Sequence, residues 1–114
     1  MSDCMFCRIV DGSVASKSVY QDDQAVAFED LNPKAPVHVL VIPRRHIASV
    51  GGVGAADEGL LGHLMRVGVK VAEDKGLMQS GYRILTNVGP DAGQSVFHLH
   101  LHVLGGRQMG WPPG

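Results

Sequence analysis

Three imidazoles in strict alternation, His98, His100 and His102, are the residues of this chain best suited to chemistry. Phe97, Leu99, Leu101 and Val103 are interleaved with them, and a two-residue period is that of a β-strand, not a helix. A strand over residues 95–104 puts all three rings on one face, about 7 Å apart from one to the next. The leucines and Val103 then face a core. One strand histidine is more often structural than functional, but three buried in a row demand three sets of hydrogen-bond partners. The pattern suits two chemistries. A neutral imidazole can attack phosphorus and form a covalent intermediate, and a His-x-His pair on a strand can ligate zinc.

The surroundings favour the phosphorus chemistry. Gly93-Gln94-Ser95 precedes the histidines; a glycine lets backbone N–H groups approach phosphate oxygens closely, and Ser95 adds a hydroxyl. His100, the middle ring with strand neighbours on both sides, is the expected nucleophile. His102 and backbone amides are expected to bind the charge that develops on phosphate. His38, on a neighbouring strand, is placed to hold the tautomer of His100. Asp30 suits a ribose diol, because a carboxylate accepts two hydrogen bonds; a solvated loop is its plainer role. Phe6, Ile9 and Leu31 are expected to form an apolar slot for a flat base, with simple core packing as the alternative. Gly51-Gly-Val-Gly54 has the spacing of neither a dinucleotide fingerprint nor a P-loop.

Size and charge narrow the options. A chain of 114 residues is one domain, with 10 basic against 11 acidic residues. Near-neutrality argues against a nucleic-acid polymer or an anionic membrane as partner. Met1 to Arg8 lacks the pattern of a signal peptide and no apolar run reaches membrane-spanning length, so a cytoplasmic location is expected. Cys4 and Cys7 are then thiols or metal ligands rather than a structural disulfide. A structural zinc site needs two more ligands to close its tetrahedron.

The elements that carry these residues can be read in order. Phe6, Ile9 and Val10 mark a short helix capped by Ser2 or Asp3. Val19–Gln21 and Ala25–Glu29 flank a turn at Asp22-Asp23. Asp30 to Pro36 is a proline-held loop, and Val37 to Ile42 a central strand stopping at Pro43. Apolar spacing predicts a long helix from about Asp57 to Lys75, ended by Gly76. Gly62 and Gly68 in it suggest close packing on a sheet, and His63 a surface or boundary position. Gly81 to Asn87 is a further strand. The sum is an α+β domain of five antiparallel strands with one long and one short helix.

The run His98-Leu-His100-Leu-His102-Val-Leu resembles the histidine-triad (HIT) motif, and its flanks, Gly93-Gln-Ser95, Leu104-Gly-Gly-Arg-Gln-Met109 and Trp111-Pro-Pro-Gly114, are similar to the Hint branch of nucleotide-binding proteins. Phe28 to Pro36, Val41 to His46 and Gly62 to Met65 extend the likeness over nearly the whole of residues 1–114. The resemblance implies a single HIT domain in a two-fold homodimer, a purine nucleotide substrate, and hydrolysis of the P–N bond of nucleoside 5′-phosphoramidates through nucleotidyl-His100. It assigns phosphate and sugar contacts to Asn87 and to Gly93, Gln94 and Ser95, and sends Trp111 to the partner's active site. The rival activities are hydrolysis of dinucleoside polyphosphates, and nucleotide or zinc binding without catalysis. Likeness to some bacterial HIT proteins implies one structural zinc on Cys4, Cys7, His46 and His98, with no cofactor required for catalysis; Cys4 and Cys7 as small residues without metal is the alternative.

Overall fold

The computed structural model describes residues 3–114. Five strands, β1 (Ser18–Gln21), β2 (Ala25–Glu29), β3 (Val37–Pro43), β4 (Tyr82–Leu85) and β5 (Leu101–Gly105), form one sheet in the order β1-β2-β3-β5-β4. All neighbours are antiparallel. The expected architecture is therefore the observed one. Helix α1 (Met5–Val10) lies against one face of the sheet and α2 (Glu58–Asp74) against the other.

The two faces have separate cores. Leu64, Val67, Val71 and Ala72 of α2 pack on Ala25, Ala27, Val39, Val41, Leu99, Leu101 and Val103. On the other side Phe6 of α1 packs with Val26, Phe28, Leu40 and Ile42. The second core is small, and the open remainder of that face is where the histidines emerge. A Cβ on Gly68 would lie 3.1 Å from Ile84 Cδ1 and 3.5 Å from Val103 Cγ2, so this glycine does allow α2 close onto the sheet. Gly62 has nothing within 4 Å and plays no such part.

Several details differ from expectation. Cys4 is the N-cap of α1, its Sγ accepting from Cys7 N–H at 3.4 Å, in place of Asp3; Ser2 lies outside the described residues. The strand expected over residues 95–104 begins only at Leu101. Before it, Leu99 N–H donates to Ile47 O at 2.6 Å, so the chain around His98 leaves the β3 ladder and follows the segment beyond Pro43. The connector after β3 contains two short 3-10 turns, Val50–Gly52 and Ala55–Asp57. His63 takes the expected boundary position and makes a specific contact there: its Nε2 sits 2.6 Å from Asp22 Oδ2, which also accepts from Tyr20 Oη–H at 2.8 Å. Together they pin the β1–β2 turn to α2.

Candidate active site

The open part of the α1 face forms a cleft of about 450 Å³. Its lining includes the apolar Phe6, Ile9 and Leu31 and the polar Asp30, Lys34, His38, Ser95, His100 and His102. Phe6 meets Phe28 and His100 edge-on, with ring centroids 5.5 and 5.2 Å away. That geometry leaves an apolar wall beside the imidazoles. Leu31 is 88% exposed and stands at the mouth.

Hydrogen bonds fix the protons on the rings. The Nδ1 of His100 is 2.7 Å from His98 O. A carbonyl can only accept, so Nδ1 carries the proton and Nε2 of neutral His100 carries the lone pair. Thr86 Oγ1–H donates to His100 O at 2.8 Å and holds the main chain of the same residue. Lys34 N–H donates to His38 Nδ1 at 2.9 Å, which puts the proton of neutral His38 on Nε2. His38 Nε2 then donates to His102 Nδ1 at 2.9 Å and lies 3.4 Å from Asp30 Oδ2. By the same rule His102 carries its proton on Nε2. That atom is buried and has no hydrogen-bond partner among the described residues.

Burial favours the neutral form of His38 and His102. Desolvation pushes His102 down to about 4, helped by neighbouring His100 and His38 and opposed by Asp30. His38 is lowered by burial against the opposing pull of Asp30. A pair consisting of a bare Nε2 on His100 and an N–H on His102, ring centroids 4.9 Å apart, can attack an electrophile and bind the charge that results.

A second cluster lies behind the first. His98 Nδ1 is 3.4 Å from Cys4 Sγ, 3.6 Å from Cys7 Sγ and 3.2 Å from His46 Nδ1, and Cys7 Sγ is 3.3 Å from His46 Nδ1. Ligands of one tetrahedral zinc, at about 2.0–2.3 Å, stand roughly 3.3–3.8 Å from each other. The donor set and its spacing therefore fit a metal ion. His98 Nε2–H donates to Pro43 O at 2.8 Å, which leaves Nδ1 bare and aimed at the cluster. Burial lowers the His98 imidazole, favouring the neutral form that a metal needs. Asp30, His38 and His102 are also close enough to hold a metal, but the directed hydrogen bonds above already use those nitrogens.

Residues 11–109 match the HIT domain. The chain belongs to the HIT family. An uncharacterized HIT-like protein of Synechococcus elongatus is 46% identical over 112 residues, 98% of this chain and 97% of its own length. A HIT family hydrolase from Legionella pneumophila has a TM-score of 0.96 at 45% identity, with 98% of this chain and 100% of that one covered. A HIT family hydrolase from Clostridium thermocellum gives 0.93 at 45% identity over 96% of each chain. This HIT protein thus has the HIT hydrolase fold, which supports a nucleotide-binding hydrolase.

The fold of this HIT protein gathers Phe6, Ile9, Asp30, Leu31, His38, Ser95, His100 and His102 around one cleft, and Cys4, Cys7, His46 and His98 around the cluster behind it. Asn87, Gly93, Gln94 and Trp111 lie outside the cleft lining. Gly93 N–H donates to Pro90 O and Gln94 N–H to Gly89 O, so these amides close their own turn instead of an anion cradle. The Gln94 side chain is buried: Oε1 accepts from Gly89 N–H, and Nε2 donates to Ala48 O and Val96 O. It holds the loop that presents Ser95. Trp111 is 83% exposed, beneath Arg83 at 6.0 Å. Lys34 escaped the sequence reading because it acts through its backbone N–H, which no side-chain pattern reveals.

Proposed function

We propose that this HIT protein is a purine nucleoside phosphoramidase. The carrying observation is the His98 O contact at 2.7 Å, which leaves the lone pair of His100 Nε2 in the cleft beside the buried N–H of His102. In this reading the base lies on Phe6 and Ile9, Asp30 binds the ribose hydroxyls, and the α-phosphate faces His100. Nε2 of His100 attacks phosphorus while the P–N bond breaks. The leaving nitrogen takes up a proton from solvent and departs as amine, with the Ser95 hydroxyl beside it. Water then displaces His100 and releases the nucleoside monophosphate. His102 Nε2–H stabilises the phosphoryl oxygens in both steps. Asn87, Gly93 and Gln94 support the phosphate loop. The reaction needs no cofactor.

A structural zinc on Cys4, Cys7, His46 and His98 belongs to the same proposal. It would tie α1, and with it the Phe6 wall, to the segment carrying His98. The protein acts as a cytoplasmic two-fold homodimer in which Trp111 reaches the partner's cleft. An edge strand, β4, and the exposed Met65 and Val69 of α2 support the pairing. The test is release of amine from adenosine and guanosine 5′-phosphoramidates, run beside dinucleoside polyphosphates. Preferential turnover of the phosphoramidates supports the proposal. Turnover of polyphosphates alone, or nucleotide binding without turnover, overturns it. Light scattering that gives a monomer removes Trp111 from the mechanism.

A further inference from the structure

We propose that Arg107 is a positioning residue for this reaction, fixing the ring tautomers of His38 and His102 through the main chain of Lys34. The inference rests on the phosphoramidase reading for its kinetic consequence, though not for its structural one. Arg107 follows the end of β5. Gly106 before it has φ +90°, and a Cβ there would stand 2.9 Å from Pro36 Cβ. Only a glycine lets the chain turn this close over the loop between Pro33 and Pro36.

That approach brings the guanidinium onto the loop. Arg107 Nε and Nη2 both donate to Lys34 O, at 3.1 and 3.0 Å, and Nη1 donates to Gln108 O at 3.0 Å. A planar fork of donors suits two bonds to one acceptor, and a lysine ammonium does not reproduce it. Lys34 is thus gripped at its carbonyl while its N–H points at His38 Nδ1 at 2.9 Å. Because a backbone N–H can only donate, every later direction follows. His38 must protonate at Nε2, donate to His102 Nδ1 at 2.9 Å, and leave the His102 proton on the buried Nε2. The carbonyl and the N–H of Lys34 lie in the two peptide units that meet at its Cα, so releasing the carbonyl frees the chain there; if the N–H turns away, His38 can carry its proton on Nδ1 instead. His102 then loses the donor that selects its tautomer, and a lone pair in place of an N–H would face the phosphate. An exposed arginine at a strand end therefore reaches the cleft floor through Lys34, His38 and His102 in turn.

The test is ring-nitrogen NMR on histidine-¹⁵N protein, with steady-state kinetics on the same samples. In the wild type His38 and His102 report Nδ1 unprotonated and Nε2 protonated. Arg107→Ala is expected to give averaged tautomers at both rings and to lower kcat about tenfold, the scale of one charge-assisted hydrogen bond, with KM little changed. Arg107→Lys is expected to fall between, and it carries the test if the alanine variant does not fold. A wild-type ring pattern in the variants overturns the proposal whatever happens to kcat, since a merely structural role for Arg107 would leave the tautomers alone. Averaged tautomers with unchanged kcat overturn it as well. Shifted tautomers in a protein that never cleaves phosphoramidates would uphold the positioning by Arg107 and reject the reaction.

Discussion

Replacing His38 by alanine breaks the central link of the tautomer relay. The substitution removes two hydrogen bonds of 2.9 Å, leaving Lys34 N–H and His102 Nδ1 without their partner. The side chain of His38 is 4% exposed, so water does not readily replace it. A buried polar atom left unsatisfied costs about 1–3 kcal/mol. His102 can escape part of that cost by moving its proton to Nδ1, at the expense of the N–H aimed at phosphate. Taking about 2 kcal/mol as the lost preference, kcat/KM for a nucleoside phosphoramidate should fall roughly 30-fold. A fluorogenic phosphoramidate assay measures it, with circular dichroism confirming the fold. If a folded His38→Ala protein keeps kcat/KM within about twofold of wild type, the tautomer of His102 is not set by this relay and the reasoning fails.

Stripping the proposed zinc with a strong chelator should lower the melting temperature and weaken nucleotide binding about tenfold or more, because α1 carries both Cys7 and the Phe6 wall; calorimetry with and without zinc measures both, and unchanged values would separate the cluster from the cleft. Stability should fall on acidification. His102 titrates near 4 when folded, with His38 and His98 also lowered, against about 6.5 unfolded, so the unfolded chain binds more protons between these values. The His102 contribution is complete above pH 6.5 and is lost as pH falls through about 4, with His38 and His98 acting in the same direction; urea midpoints of metal-free protein that do not change across that window would contradict it. Asp22→Ala should cost about 2 kcal/mol, read as a lower urea midpoint, because the carboxylate accepts from Gln24 N–H, Ala25 N–H, Tyr20 Oη–H and His63; nucleotide affinity should not change.

The parts of this site legible in the sequence are those governed by side-chain period. Alternation of histidine with Leu99, Leu101 and Val103 correctly separates a core face from a functional face, since those three residues join the α2 core. The same alternation overstated the strand, because period reports which way side chains point and not which neighbour the backbone bonds. His98 and His100 keep the alternation while the backbone between them pairs with Ile47. The cap of α1 was missed because sulfur at Cys4 takes the role that oxygen usually fills. The resemblance assigns Gln94 a phosphate or sugar contact; its buried side chain bonds Gly89, Ala48 and Val96, main-chain partners that no residue pattern announces. The relay from Arg107 to His102 crosses a backbone amide and carbonyl of Lys34, and main-chain groups carry no residue signature.

The most direct test is to trap the intermediate. Excess enzyme is mixed with a nucleoside phosphoramidate, denatured within one turnover at neutral or alkaline pH to spare the P–N bond, digested, and analysed by mass spectrometry. A His100 nucleophile predicts one nucleotidyl group per chain on the peptide containing His100, accumulating and decaying at rates that match turnover, and absent from His100→Ala. Rapid turnover with no labelled peptide, or a label on His98, His102 or Ser95 instead, would contradict it.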